Sequence, residues 1–286
     1  MRYRMIAIDL DGTLLNRRGR VSEANASAIA RAREAGVIVV PCTGRAWRES
    51  KATLDVLPME GPGVFVTGAA VSDIQTGRSL DLSVIEPHLA LRIVEHLWGL
   101  PEAVLVFRDL ELAGHDYLVT GRGELLPNTQ WWFRATGATV RYQTDIRQDD
   151  LHHSLRVAVV AKRSRIEAIK SVLSDSLAGE ISMHSFQAIQ EPDPRDNIHI
   201  LEIFARGVDK WRGIDWVAHQ HGIDTADVAA IGDEINDLAM LASAGCGIAM
   251  GNAIDRVKAV ARHVTHACDA DGVAHAIDNL LAGVWG

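Results

Sequence analysis

Short apolar segments that end at a polar side chain alternate with helix-like segments at both ends of this chain. Near the start, residues 3–8 form an apolar run that stops at Asp9, and residues 21–35 then carry small apolar side chains at helical spacing. Near the end, the apolar run 228–231 is flanked by helix-like segments on both sides, and a further helix-like segment covers residues 254–262. Strands that alternate with helices are typical of a parallel sheet covered by helices on both faces. The two ends of the chain therefore predict one α/β domain.

The middle of the chain has a different pattern. Strand-like segments cover residues 104–107, 154–161 and 181–189, and amphipathic helices cover residues 84–97 and 166–177. Polar stretches rich in glycine, proline and asparagine, such as residues 191–197, lie between or after them. We therefore predict a discontinuous core formed by residues 1–82 and 196–286, with an α+β domain inserted at residues 83–195.

Composition and charge exclude several classes of function. The formal net charge is −8, which offers no broad positive surface for nucleic acid or an anionic membrane. The longest uncharged run, residues 238–254, is interrupted by glycines, so we expect no membrane span, and we expect no targeting segment. Three cysteines are too few for a disulfide framework, which favours a reducing, cytoplasmic location.

Three polar motifs follow predicted strands. Asp9-Leu10-Asp11-Gly12-Thr13 ends the first strand, Thr43-Gly44-Arg45 ends the second, and Gly232-Asp233-Glu234-Ile235-Asn236-Asp237 follows a strand near the end of the chain. Each motif alone has a purely structural explanation, since Asp, Thr, Asn and Gly also form turns and cap helices. Together they matter more, because the carboxyl ends of parallel strands meet at one edge of a sheet, where ligands bind.

The carboxylates of Asp9, Asp11, Asp233 and Asp237 would repel one another if they met at that edge. A divalent cation would relieve this repulsion. Mg²⁺ is the expected ion, because it binds a few carboxylates, keeps part of its water and engages substrate phosphates. Lys210, before a helix-like segment, would add a second positive charge.

These motifs, taken in order with Lys210, resemble those of the haloacid dehalogenase-like phosphohydrolase superfamily. The long insertion between the second motif and Lys210, together with residues 247–253 and 271–273, is similar to the Cof-type branch with a C2 cap. The resemblance implies a Rossmann-like core, a cap at the inserted domain, and a Mg²⁺-dependent phosphatase acting on small phosphorylated metabolites, sugar phosphates among them.

The resemblance also implies a role for each motif residue. Asp9 would be the nucleophile that forms an aspartyl-phosphate, and Asp11 the general acid and then the base. Mg²⁺ would be held by Asp9, the backbone carbonyl of Asp11, and Asp233, with Asp237 in support. The phosphate-binding residues implied are Thr43, Gly44, Lys210 and Asn236.

Two residues depart from the family pattern. Thr67-Gly68 stands where Asn-Gly is usual, and Trp211 follows Lys210 where glycine is common. Two other functions share the same motifs: a phosphomutase that passes the phosphoryl group to a second hydroxyl, and a non-catalytic phosphoacceptor or metabolite-sensing module. The exact substrate and the oligomeric state do not follow from the sequence.

Overall fold

The chain divides into two compact units. The computed structural model describes residues 2–189 and 197–285. Unit 1 comprises Met1–Asp81 and Asp209–Gly286, and unit 2 comprises Leu82–Val208. The first boundary lies close to the expected one at residue 82, whereas the second lies further along the chain than the expected boundary at residues 195 and 196.

Unit 1 contains an eight-stranded sheet with helices around it. Its strands are β1 (Met5–Asp9), β2 (Ile38–Cys42), β3 (Pro62–Phe65), β4 (Ala70–Asp73), β5 (Ser79–Leu82), β12 (Val228–Gly232), β13 (Cys246–Ala249) and β14 (His263–Val264). Its α-helices are α1 (Glu23–Glu34), α2 (Trp47–Leu54), α7 (Lys210–Gln220), α8 (Leu238–Ser243), α9 (Asp255–Lys258) and α10 (Gly272–Leu281).

The strand order in this sheet is β14-β13-β12-β1-β2-β3-β4-β5. The six strands from β14 to β3 pair in parallel, and β4 runs antiparallel to β3. Every residue of β1 and β12 is buried, because both strands lie inside a sheet covered on both faces. The predicted α/β class with a parallel-sheet core is confirmed.

Local sequence explains where the helices of unit 1 begin and end. Ser22 caps α1 by accepting a hydrogen bond from the Asn25 N–H at 3.1 Å. Gly36, with φ +81°, then allows the turn that leads into β2. Asp209 caps α7 in the same way, through the Arg212 N–H at 3.0 Å. This cap fixes the start of α7, whose first residue is Lys210.

Unit 2 is an α+β unit with its own core. Its strands are β6 (Val104–Arg108), β7 (Tyr117–Thr120), β8 (Val140–Tyr142), β9 (Ser154–Lys162), β10 (Ile181–Ile189) and β11 (Ile198–Ala205), in the order β10-β11-β9-β6-β7-β8. Its helices are α3 (Pro87–Leu97), α4 (Leu110–Ala113), α5 (Pro127–Thr136) and α6 (Arg163–Ser176). Buried side chains of α3, α6 and the sheet form one apolar cluster. Since β11 pairs with β9 and β10, it belongs to this unit.

The described residues 2–189 and 197–285 contain no helix with the length and apolar character needed to cross a membrane. All three cysteines are buried and none forms a disulfide.

Candidate active site

Three neighbouring strands of unit 1 end side by side and bring polar side chains to one edge of the sheet. β1 ends at Asp9, which pairs in register with Cys42, the last residue of β2. On the other side of β1, β12 ends at Gly232 and Asp233 follows it. The chain continues from β1 to β2 on one side, while β12, β13 and β14 lie on the other. In open α/β sheets, ligands bind outside the carboxyl ends of the strands at such a switch point.

Three carboxylates form what we call the acidic cluster: Asp9, Asp233 and Asp237. One carboxylate oxygen from each lies within 4.8 Å of those of the other two. The Asp237 Oδ2 accepts hydrogen bonds from the backbone N–H groups of Asp233 at 2.8 Å and Glu234 at 3.0 Å. The turn after β12 therefore holds Asp237 in place. Like charges this close repel strongly where water is excluded, so the cluster needs compensating positive charge.

Lys210 supplies part of that charge. Its side chain is fully buried, and its Nζ donates hydrogen bonds to Oδ1 of Asp9 at 2.5 Å and to Oδ1 of Asp237 at 2.6 Å. Burial by itself would lower the pKa of Lys210, but Asp237 and Asp9 outweigh it and raise the pKa above its ordinary value. The lysine therefore stays positively charged, and it joins two members of the acidic cluster.

Asp233 is held by neutral donors. The Thr13 hydroxyl donates to its Oδ1 at 2.8 Å, and Asn252 Nδ2 donates to its Oδ2 at 3.2 Å. The same Asn252 Nδ2 donates to the carbonyl of Gly12 at 2.8 Å. A Cβ on Gly12, which has φ +76°, would overlap the Asp233 carboxylate. The sequence analysis did not assign Thr13 and Asn252 to the site, although both lie in segments that carry the family resemblance.

Burial and the neighbouring negative charges raise the pKa values of two carboxylates in the acidic cluster. Burial raises the pKa of Asp9 well above its ordinary range, and Asp237 and Asp233 add to this effect while Lys210 opposes it. Burial also raises the pKa of Asp233 to about 7, with Asp237 adding to the shift and the Thr13 hydrogen bond opposing it. One ammonium group does not neutralise three carboxylates. The oxygen ligands and the excess charge fit a hard divalent cation such as Mg²⁺.

Asp11 is not one of the carboxylates in the acidic cluster. Its Oδ2 accepts a hydrogen bond from Arg45 Nε at 2.7 Å, and its Oδ1 pairs with Nη2 of the same guanidinium. The Asp11 side chain is 53% exposed and that of Arg45 is 29% exposed. Exposed pairs contribute at most about 1 kcal/mol, so this pair is easily exchanged for another partner. The sequence analysis did not foresee the contact with Arg45.

The Thr43-Gly44 turn and Asn236 bring neutral hydrogen-bonding groups to the same edge. Thr43 is buried, and its hydroxyl accepts a hydrogen bond from the Arg45 N–H at 3.1 Å. A Cβ on Gly44 would lie 3.8 Å from Asn236 Nδ2, so the turns after β2 and β12 meet here. Asn236 Oδ1 is buried and has no hydrogen-bond partner in the part of the chain that the structure describes. A buried acceptor of this kind calls for a donor from outside the described residues, such as a water molecule.

The two departures from the family pattern lie in the segment after β3 and at the start of α7. Thr67 is fully buried in a short 3₁₀ segment, Val66–Gly68, with φ +55°. Trp211 is half-buried and is the second residue of α7, directly after Lys210.

A doubly wound parallel sheet, an inserted α+β unit and an acidic cluster at the switch point define a class of Rossmann-like proteins whose ligand site lies at that edge of the sheet. Comparison with known families gives the class its name. The model of the haloacid dehalogenase-like hydrolase family matches residues 6–277. The chain belongs to this family.

Individual relatives agree with this assignment. The 5-amino-6-(5-phospho-D-ribitylamino)uracil phosphatase YitU of Bacillus subtilis is 33% identical over 273 residues, covering 94% of each chain. An HMP-PP phosphatase of Cronobacter sakazakii is 26% identical over 281 residues, covering 97% of this chain and 96% of its own. A haloacid dehalogenase-like hydrolase structure from Bacteroides thetaiotaomicron matches with a TM-score of 0.77 and 26% identity, covering 97% and 99% of the two chains. The protein is accordingly a phosphatase of this family.

Proposed function

We propose that this chain is a Mg²⁺-dependent phosphatase that hydrolyses small phosphorylated metabolites through an aspartyl-phosphate on Asp9. The observation that carries the proposal is the contact between Lys210 and Asp9, at 2.5 Å, inside an acidic cluster at the switch point of the sheet. A buried carboxylate beside a buried ammonium group suits attack on an anionic phosphate, because the positive charge offsets repulsion between the two.

Asp9 is the proposed nucleophile. One of its carboxylate oxygens attacks phosphorus, a bond forms between Asp9 and phosphorus, and the bond from phosphorus to the leaving oxygen breaks. Lys210 stays protonated throughout and lies against the charge that develops on the phosphoryl oxygens. Its second hydrogen bond, to Asp237, keeps the ammonium group in one position.

Asp11 is the proposed general acid and base. It gives a proton to the leaving oxygen in the first step, which releases the alcohol. It then takes a proton from the water that attacks phosphorus, and the bond between phosphorus and Asp9 breaks to release orthophosphate. Since Arg45 occupies both Asp11 oxygens in this conformation, the proposal requires Asp11 to leave Arg45 during the cycle.

Mg²⁺ is proposed to be held by Asp9, Asp233 and the backbone carbonyl of Asp11, with Asp237 in support. When bound, the ion supplies positive charge that stabilises the phosphoryl oxygens. Thr13 and Asn252 keep the Asp233 carboxylate directed into the cluster, as their hydrogen bonds to its two oxygens support.

The remaining phosphate contacts are proposed to come from neutral groups. The Thr43 hydroxyl, the Gly44 N–H and the Asn236 carboxamide would bind phosphoryl oxygens beside Lys210. The meeting of the Gly44 and Asn236 turns, with Asn236 Nδ2 3.8 Å from where a Gly44 Cβ would lie, supports this assignment.

Unit 2 is proposed to act as a C2-type cap that selects the leaving group, which favours small substrates over protein or nucleic-acid phosphoesters.

Both relatives compared above are named phosphatases, and YitU is named for a small phosphorylated ribitylamino-uracil. These names favour water over a second hydroxyl as the phosphoryl acceptor, and so favour a phosphatase over a phosphomutase. The three buried, unpaired cysteines agree with a cytoplasmic location.

The experiment is a turnover assay on p-nitrophenyl phosphate and a panel of phosphorylated metabolites, with Mg²⁺ and with a chelator. Asp9→Asn keeps the shape of the side chain and removes the nucleophile, so we expect loss of nearly all turnover. Asp55→Asn is the matched control, because Asp55 pairs only with the exposed Lys51 among the described ion pairs. Turnover that survives Asp9→Asn, or that is unchanged by the chelator, would contradict the proposal.

A further inference from the structure

Two consecutive residues after β3 adopt a left-handed backbone. Val66 has φ +51° and Thr67 has φ +55° and ψ +32°. Glycine and asparagine take this conformation readily, whereas β-branched residues do so only under strain. Both side chains are buried. Strain of this kind persists only where the surrounding structure requires it, which directs attention to what the turn holds.

The strained turn binds the Thr43-Gly44-Arg45 segment through its backbone. The Thr67 N–H donates to the carbonyl of Thr43 at 3.0 Å, and the Val66 N–H donates to the carbonyl of Arg45 at 2.9 Å. The Thr43 carbonyl and the Gly44 N–H belong to the same peptide group, which is planar and trans. By fixing the carbonyl, Thr67 also fixes the direction of the Gly44 N–H.

The Thr67 side chain reaches the same peptide from another side. A Cβ on Gly44 would lie 3.3 Å from Thr67 Oγ1, closer than an ordinary van der Waals contact. The side chains of Thr67 and Asn236 both lie beside Gly44.

The turn also contacts the start of α7. Gly68 has φ +93°, and a Cβ there would overlap the backbone carbonyl of Asp209 and lie 3.2 Å from the backbone nitrogen of Lys210. The turn therefore packs between the Thr43-Gly44 segment and the residue that carries the buried ammonium group. A small displacement of this turn would change the spacing between these two groups.

We propose that Thr67 is a positioning residue of the phosphate site, which acts through Gly44: its N–H orients the Gly44 peptide, and its side chain packs beside Gly44. The inference rests on the proposed function, because it assigns the Gly44 N–H to a phosphoryl oxygen. It goes further in giving a role to a residue that departs from the family pattern.

The test is the affinity for inorganic phosphate in the presence of Mg²⁺, measured by calorimetry on the full chain. Thr67→Val keeps the size and the branched shape and replaces the hydroxyl beside Gly44 with a methyl group, and we expect the dissociation constant to rise about tenfold. Thr67→Ser restores the hydroxyl and should bind within about twofold of wild type. With a phosphorylated substrate, the same change should appear mainly in KM.

Two further variants separate a positioning role of the Thr67 side chain from a general effect of the substitution on folding. Thr67→Gly keeps the left-handed backbone without strain and removes the side chain, so it should lose phosphate affinity as Thr67→Val does. Thr120→Val makes the same chemical change at a buried threonine of unit 2 and should bind phosphate as wild type does. Mg²⁺ affinity should be unchanged in every variant, because the proposed role of Thr67 is to position Gly44 and not the carboxylates of the acidic cluster.

The outcomes distinguish the two proposals. If wild type turns over substrate while Thr67→Val and Thr67→Gly bind phosphate like wild type, the role of Thr67 is wrong and the proposed function stands. If wild type binds phosphate without turnover, the proposed function is wrong and the Thr67 series still decides the inference. A wild-type chain that binds no phosphate with Mg²⁺ contradicts both.

Discussion

Lys210 Nζ lies 2.6 Å from Oδ1 of Asp237, and neither side chain is exposed to solvent. The same ammonium group reaches Asp9, so one buried cation serves two carboxylates. Desolvating such groups is costly, and their mutual contacts offset the cost only while every partner is present.

Lys210→Met should destabilise the metal-free chain by about 3 kcal/mol, because it leaves buried carboxylates without a counter-charge. Added Mg²⁺ should recover part of this loss, since a cation bound to the folded state alone stabilises it. Denaturant unfolding with and without Mg²⁺ measures both effects. Lys51→Met is the control, because the exposed pair of Lys51 with Asp55 is worth less than about 1 kcal/mol. Equal losses in the two variants would contradict the ion-pair account.

Gly12→Ala should weaken Mg²⁺ binding by about tenfold or more, because the new methyl group would displace the Asp233 carboxylate. Gly19→Ala is a close control: Gly19 has φ +68°, near the +76° of Gly12, but a Cβ there meets nothing within 4 Å. Both variants carry the backbone strain of alanine at positive φ, so their difference isolates the crowding of Asp233. Metal titration by calorimetry compares the two variants. Equal Mg²⁺ affinities would show that Gly12 is not needed to make room for the Asp233 carboxylate.

The raised pKa of Asp233, about 7, predicts how stability depends on pH. Between the ordinary carboxyl pKa near 4 and about 7, the folded chain keeps a proton on Asp233 that the unfolded chain has lost. The contribution of Asp233 therefore destabilises the metal-free fold progressively as pH rises through this window. Mg²⁺ needs the ionised carboxylate, so its affinity should fall as pH drops below about 7.

Asp233→Asn removes this titration, and the difference between wild type and variant isolates it from other groups. Denaturant unfolding at pH 5 and pH 8 with a chelator should show wild type losing stability relative to Asp233→Asn as pH rises. His275 acts in the opposite direction. Burial lowers the pKa of His275, so its contribution to the free energy of unfolding increases as pH rises. A wild-type to Asp233→Asn difference that is constant with pH would contradict the assignment.

Thr120→Val should stabilise the chain by about 1 kcal/mol. Thr120 is buried in β7, and its hydroxyl has no hydrogen-bond partner among the described residues. A valine of nearly the same shape removes the cost of burying an unsatisfied group and adds a buried methyl. Thermal unfolding measures the change, and a lower melting temperature would show that the hydroxyl has a partner after all.

The elements that the sequence predicted best are buried strands and striped helices. Residues 181–189 were expected as a strand, and β10 has those bounds. Strands β1 and β12 lie within one or two residues of the expected segments 3–8 and 228–231, because a strand buried on both faces is apolar throughout. In contrast, α9 covers only Asp255–Lys258 where a helix over residues 254–262 was expected. A helix of one turn leaves little periodicity to read.

Other elements gave weak signals. α5 was missed, because its residue Trp131 is exposed while Phe133 is buried, and the segment is polar overall. α2, β4, β5, β7 and β8 are short, and the sequence analysis named none of them. The polar stretch at residues 191–197 lies outside the described residues except for its last residue.

The candidate site was predictable where it depends on strand ends. Asp9 ends β1 and Asp233 follows β12, as expected, and the sheet order brings them together. The contact of Lys210 with both Asp9 and Asp237 depends on how α7 packs, which spacing alone does not give. The pairing of Asp11 with Arg45 depends on side-chain rotamers across two turns, so it too needed the structure.

The most direct test of the account is to identify the residue that carries the phosphoryl group. Borohydride added during turnover reduces an acyl phosphate to an alcohol, which would convert a phosphorylated aspartate to homoserine. Peptide mass spectrometry should find homoserine at position 9 in wild type, and no such conversion in Asp9→Asn or without substrate. Steady turnover with Asp9 unmodified, or with the conversion at another carboxylate, would contradict the account.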